Sequence, residues 1–230
     1  MIFMTLQTET KTGKYLAIIT GIFVAVLIIS NIASTKIVQI GFLIFDAGTL
    51  LFPLSYIFGD ILTEVYGYKQ TRKVIWTGLF SIILMSVVFA IVGLLPSEAN
   101  WGNQGAYDVI LGIVPRIVIA SVIAYFAGEF SNSYIMAKMK IMQKGKELWK
   151  RTIGSTLIGE GIDTLIFAFI AFWGTMPTEI FIALIVSNYI FKTAVEILFT
   201  PITYAITGFL KKAEGIDEYD YKTDFSPFKL

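Results

Sequence analysis

No cysteine and no histidine occur anywhere in the 230 residues. The first absence excludes disulfides, thiolate nucleophiles and cysteine-ligated zinc. The second removes the commonest general base, the commonest transition-metal ligand and the usual neutral-pH switch. Any proton chemistry therefore falls to Asp, Glu, Lys or Tyr. Charge is scarce as well. Asp, Glu, Lys and Arg make up 15% of the chain, against about 25% in a soluble domain. The formal net charge is +1, which gives no electrostatic footing for a nucleic-acid partner. No Gly-rich phosphate loop is present, so the chain cannot draw on ATP by itself, and neither HExxH nor GxSxG occurs. No cofactor is implied.

What fills the space is apolar: 56% of residues are aliphatic, aromatic or otherwise hydrophobic. Lipid accepts that much apolar surface more readily than a water-soluble fold can hide it. Crossing the hydrocarbon takes about 20 helical residues, and six segments qualify: 15–35, 47–66, 73–95, 109–131, 153–174 and 179–210. The last is too long for a straight span, and Pro201 is expected to kink or tilt it. The first starts near Tyr15, has the length of a full span and lacks a small-residue cleavage pattern, so it is not read as a signal peptide.

Basic residues sort the connections by side. Lys11 and Lys14 precede the first span; Lys69, Arg72 and Lys73 lie in the second connection; the 132–152 connection carries six; Lys211 and Lys212 follow the last span. The 96–108 and 175–178 connections have none, and 36–46 has only Lys36. This alternation predicts an all-α polytopic membrane protein of six transmembrane helices with cytoplasmic N- and C-termini. Residues 1–14 form a cytoplasmic N-terminal segment, 15–210 the membrane domain, and 211–230 a weakly ordered cytoplasmic tail. The 138–151 stretch reads as a solvated basic loop or an amphipathic interfacial segment.

Ionisable groups within spans are expensive, and functional by default. Asp60 and Glu64 stand at i and i+4 on the second span; they either act at a site or are wet and paired with Lys69 or Arg72. Glu160 and Asp163 share a face of the fifth span, with Thr164 and Phe167 continuing it and Arg116 as an alternative ion-pair partner. Lys192 and Glu196 are spaced for an intrahelical pair. Glu129 and Asn132 sit near the end of the fourth span. Asn31 and Asn188, each after a serine, can join helices or read the polar edge of a planar ligand. Phe52, Tyr56, Phe130, Phe167 and Trp173 are candidates for stacking. A Ser-Asn pair closes both the first and the fourth span, and the second and fifth each carry two acids, a faint echo of an inverted repeat.

Several blocks carry a resemblance. Ser30-Asn31-Ile32 with Lys36 comes first. Phe52-Pro53-Leu54 follows, then Asp60-Ile61-Leu62-Thr63-Glu64-Val65-Tyr66-Gly67. Gly128-Glu129-Phe130-Ser131-Asn132-Ser133 comes next, and Arg151 with Asp163-Thr164 and Phe167 completes the order. Over about residues 15–210 the chain resembles the bacterial queuosine-precursor transporters, a family also labelled for vitamin uptake. The resemblance implies uptake of a 7-deazapurine through the bacterial cytoplasmic (inner) membrane: 7-cyano-7-deazaguanine, 7-aminomethyl-7-deazaguanine or queuine. The guanine-like edge presents a ring N–H and an exocyclic amine, which one carboxylate can accept together. Glu160 or Asp163 would supply it; Asn31, Asn132 or Asn188 would supply an amide; Phe52, Tyr56 or Phe167 would stack.

Two other readings stand beside it. The size and helix count also suit a substrate-capture subunit that docks on a separate ATP-driven motor. A scaffold without ligand would instead pair its polar residues with one another, Lys192 with Glu196 and Arg116 with the acids of the fifth span. Lipid surrounds the chain in every case, and association with a second copy is left open.

Overall fold

The computed structural model describes residues 13–229. The 1–14 segment expected to be cytoplasmic thus lies, except for Gly13 and Lys14, outside the described residues. The elements in order are α1 (Leu16–Ala33), β1 (Ile37–Ile40), β2 (Leu43–Asp46), a short 3-10 helix (Ala47–Leu50), α2 (Phe52–Leu94), α3 (Gln104–Leu111), α4 (Val114–Met142), α5 (Leu148–Phe172) and α6 (Thr178–Glu214). Among the described residues, five helical stretches are long and apolar enough to cross a membrane: α1, α2, α3 with α4, α5 and α6.

The second and third expected spans fall on the single 43-residue α2, on either side of a break. At Gly67 the backbone leaves the helical region, with φ 76° and ψ 166°, a conformation that side-chain-bearing residues avoid. The break frees backbone groups, and the segment after α6 satisfies them. Glu218 N–H donates to Val65 O at 3.1 Å, and Tyr68 N–H donates to Asp220 Oδ2 at 3.0 Å. A side chain at Gly67 would run into Glu218.

That docking corrects the expectation of a weakly ordered tail. Arg72 donates to the carbonyls of Asp224 and Ser226, Trp76 Nε1 donates to Pro227 O at 2.8 Å, and the Phe225 ring packs on Tyr68. The tail lies on α2 because its aromatic residues have an apolar face to cover and its carbonyls meet the donors there.

The class is mixed at one point. The connection expected as loop is a two-stranded antiparallel hairpin, with Ile37 opposite Asp46 and Ile40 opposite Leu43. Its two-residue turn has positive φ at Gly41, as in a type II′ turn. Ile37-Val38 and Ile44-Phe45 favour extended backbone. The hairpin rests on α6: Phe45 stacks on Phe191 at 5.1 Å, and Ile44 N–H donates to Ser187 Oγ at 3.3 Å. This docking carries Asp46 into the protein interior, 2% exposed.

Outward faces of the long helices are apolar, with Ile18, Phe80, Leu84, Leu165 and Leu198 exposed, while the interior buries charged residues such as Asp60, Glu129, Glu160, Asp163 and Lys192. That inversion suits lipid as the outer solvent. Small residues let α4 and α5 meet closely: a Cβ on Gly128 would strike Gly159 O and Tyr56 Oη. Ala120 and Ala124 pack with Ala168 and Ala171 in the same seam. Pro201 lies within α6, and Thr200 and Thr203 hydroxyls bond back to carbonyls one turn earlier, as at bent helices. The 138–151 stretch is the end of α4, a tight turn and the start of α5; Met142 and Trp149 are exposed, and Lys140 is buried.

Candidate functional site

Interior polar residues form three layers along the bundle. At the hairpin end, α1, the 3-10 helix, α2, α4, α5 and α6 enclose a narrow cleft whose inner void is about 10 Å³. That is room for about one water, so the cleft is closed around its polar groups in this arrangement. Phe52 and Phe167 supply apolar walls, and Asn31, Asp46, Asp163 and Lys192 supply polar ones. Lys192 Nζ donates to Asp163 Oδ2 at 2.7 Å and lies 4.5 Å from the centre of the Phe52 ring. Asn31 Nδ2 donates to Leu27 O at 2.8 Å. Asn31 Oδ1 and Asp163 Oδ1 are both buried without a hydrogen-bond donor.

The hairpin closes one side of this cleft through Asp46. Ser34 Oγ donates to its Oδ1 at 2.6 Å, and Asn188 Nδ2 donates to Oδ2 at 3.3 Å. Thr49 Oγ1 stands 2.9 Å from Asp46 Oδ2 and 3.0 Å from Asn188 Oδ1. Asp46 was not legible as a site residue, because the 36–46 connection reads as a plain apolar loop, and Ser34 and Thr49 read as ordinary hydroxyls near the ends of the first two spans. The available signal was a lone acid in a connection otherwise without acids.

The middle layer is acidic. Asp60, Glu129, Glu160 and Glu196 arrive from α2, α4, α5 and α6, each at most 1% exposed. Asn132 Nδ2 donates to Asp60 Oδ1 at 2.8 Å, and Glu129 packs against Gly59, where a Cβ would overlap its carboxylate. Tyr56 Oη donates to Gly159 O at 3.3 Å, and its ring meets Tyr125 edge-on.

At the far end Glu64 is gripped by cations. Arg151 binds it through two nitrogens, at 2.9 and 2.8 Å, and Lys211 binds the same carboxylate at 2.5 Å. Lys140 donates to Glu64 O and to Asp217, so the tail is part of the knot. Burial works against the Asp217 carboxylate, yet the Lys140 and Lys211 ammoniums hold it below its usual range. Tyr66 and the start of α1 meet Glu214 at this same end.

Three expected pairings are therefore different. Lys192 bonds Asp163 on α5 instead of Glu196 on its own helix, because that face of α6 points into the bundle. Glu64 pairs with Arg151 and Lys211 instead of Lys69 or Arg72. Arg116 donates to the carbonyls of Ile170 and Trp173, where α5 ends, rather than to the acids. Lys36 is exposed at the start of the hairpin, and Trp173 is exposed against Phe169; neither lines the cleft.

An apolar multi-helix shell around a polar interior cleft, sealed at one end by an ion-pair knot, is the architecture of a membrane transporter. The chain belongs to the family described as "Putative vitamin uptake transporter", whose model matches residues 46–206. It is a multi-pass transporter of the bacterial cytoplasmic (inner) membrane and not an enzyme. It is 28% identical over 177 residues to the "Probable queuosine precursor transporter" of Bacillus subtilis (strain 168), covering 76% of this chain and 77% of that one. It is 25% identical over 162 residues to the "Queuosine precursor transporter" of Escherichia coli (strain K12), covering 69% and 71%. No solved structure matches the chain.

Proposed function

We propose that this chain imports 7-deazaguanines: 7-cyano-7-deazaguanine, 7-aminomethyl-7-deazaguanine or queuine. In this reading it crosses the membrane six times, with Gly67 dividing α2 into two spans and both termini in the cytoplasm. The basic ends of α4, α5 and α6 gathered around Glu64 support that orientation. The hairpin then faces outward, the cleft is the substrate site, and the Glu64 knot is the closed inner gate.

The observation that carries the reading is the pair of donor-less buried acceptors, Asn31 Oδ1 and Asp163 Oδ1, on residues lining a cleft walled by Phe52 and Phe167. Leaving such acceptors empty costs about 1–3 kcal/mol each. A 7-deazaguanine meets them with its ring N–H and exocyclic amine. The walls part to admit it: its carbonyl oxygen takes a hydrogen bond from Lys192, and its planar ring lies against Phe52 and Phe167. The relatives named as queuosine precursor transporters support the same substrate class. Import follows from opening the Glu64 knot as the hairpin end closes over the ligand.

The test is expression of this chain alone in cells unable to make queuosine, fed each 7-deazaguanine at nanomolar concentration, with queuosine in tRNA as the readout. Restored modification supports the reading. No restoration, with the protein confirmed in the membrane, favours a capture subunit that needs a separate motor.

A further inference from the structure

The middle layer has more acceptors than donors. Of the eight carboxyl oxygens of Asp60, Glu129, Glu160 and Glu196, six have no hydrogen-bond partner: Asp60 Oδ2, Glu129 Oε2, both of Glu160 and both of Glu196. Asn132 Oδ1 is a further acceptor without a donor. The Tyr125 hydroxyl, fully buried and also unpartnered, lies in the field of Glu129. These side chains come from four helices and sense one another. Glu196 lies within electrostatic reach of Asp60, Glu129 and Glu160.

Other titratable groups approach this layer from the same four helices: Tyr56 and Glu64 on α2, Tyr125 on α4, Asp163 on α5 and Lys192 on α6. Arg151 on α5 lies beyond Glu64, and Asp46 on β2 beyond Asp163. Both cations among them are already engaged, Arg151 by Glu64 and Lys192 by Asp163. Among the described residues no group of three acidic side chains is arranged to hold a metal ion. Four ionised carboxylates without counter-charge in a membrane interior would each cost several kcal/mol. Hydrogen on the carboxyl groups removes that charge and supplies the missing donors at once.

We propose that Asp60, Glu129, Glu160 and Glu196 form a proton-binding site that couples inward movement of the 7-deazaguanine to inward movement of protons, with Lys192 linking the two loads. The proposal rests on the transport reading above. In the arrangement described, Lys192 is held by Asp163, and the acidic layer keeps its protons as neutral acids. A ligand whose carbonyl and N–H edge engages Lys192 and Asp163 keeps the ammonium there, so occupancy favours the protonated layer. When the ligand leaves through the opened inner end, the Lys192 charge, still paired with Asp163, again acts on Glu160. Water reaches the layer there, and one carboxyl group gives up its proton to that water, on the same side as the ligand. The linkage is reciprocal by necessity: protonation tightens ligand binding by the factor by which ligand favours protonation.

The test uses the full chain in phospholipid vesicles with 7-cyano-7-deazaguanine, a neutral substrate. Exchange of labelled for unlabelled substrate without a gradient reads transport alone. Accumulation under an inside-alkaline gradient, with a pH dye in the lumen, reads coupling. The expected result is accumulation approaching about tenfold per pH unit for one proton per substrate. A protonophore should collapse it, and substrate should acidify the lumen. Glu160→Gln and Glu196→Gln should each lower accumulation at least tenfold more than exchange. Exchange that proceeds in the wild type with no accumulation and no luminal acidification would overturn the coupling and leave the transport reading standing. Absence of exchange would overturn the transport reading, and this inference with it.

Discussion

Lys192 on α6 and Asp163 on α5 form an ion pair of 2.7 Å with side chains 4% and 2% exposed. Removing one partner leaves the other charge buried and alone, which costs about 3–5 kcal/mol. Asp163→Asn and Lys192→Met should each lower the unfolding midpoint in detergent. The double variant should recover a large part of the loss, since no lone charge remains. Additive losses in the double-mutant cycle would mean the pair is not coupled.

The tail closes the break in α2. Deleting residues 216–229 removes the acceptor of Tyr68 N–H and the donor to Val65 O, and each buried group left unmade costs about 1–3 kcal/mol. Truncation should lower thermal stability and increase amide exchange at residues 65–72. Unchanged exchange there would show that the break stands without the tail.

Docking of the tail should respond to acid through Asp217. Its folded-state carboxylate is held below the ordinary value of 3.8, against the cost of burial, by Lys140 and Lys211. A depressed carboxylate contributes stability that is complete above its unfolded value and is lost as pH falls through the folded one. The tail should therefore stay docked at neutral pH and release below about pH 4. Emission from Trp76, which donates to Pro227 O, reports this in a chain whose other tryptophans are replaced by phenylalanine. Asp217→Asn should weaken docking at neutral pH and flatten the acid transition; an unaltered transition would assign the response to other carboxylates.

Close contact of α4 with α5 depends on Gly128. A Cβ there would meet Tyr56 Oη and the backbone oxygen of Gly159. Because backbone cannot swing aside, Gly128→Ala should cost about 1–3 kcal/mol and reduce uptake, with Gly208→Ala, where a Cβ meets nothing, as the silent control. Equal behaviour of the two variants would contradict the close packing.

The membrane character and the polar positions were legible because both follow from composition: apolar stretches of span length, interrupted by few charges. Partners were not. Spacing tied Lys192 to Glu196, but spacing says nothing about which helix face turns inward, and the bundle gave Lys192 to Asp163. The sequence pattern groups the basic connections, but not the meeting of Arg151, Lys140 and Lys211 on Glu64, a long-range convergence without local trace. The hairpin escaped because Ile37–Asp46 lacks charge except at its end, so its β-branched character had no contrast against the flanking helices. With it went Asp46, which hydrogen-bonds Asn188 in the cleft wall. Gly67 did carry a local signal, a glycine next to the basic stretch; its extended geometry depends on the tail that fills the gap.

The most direct measurement is exchange of labelled 7-cyano-7-deazaguanine by the purified wild-type chain in vesicles containing no nucleotide and no other protein, alongside Asp163→Asn. Saturable exchange is expected, competed by 7-aminomethyl-7-deazaguanine but not by adenine, and at least tenfold slower in the variant. Absence of exchange by correctly folded wild-type protein, or equal exchange by the variant, would contradict it.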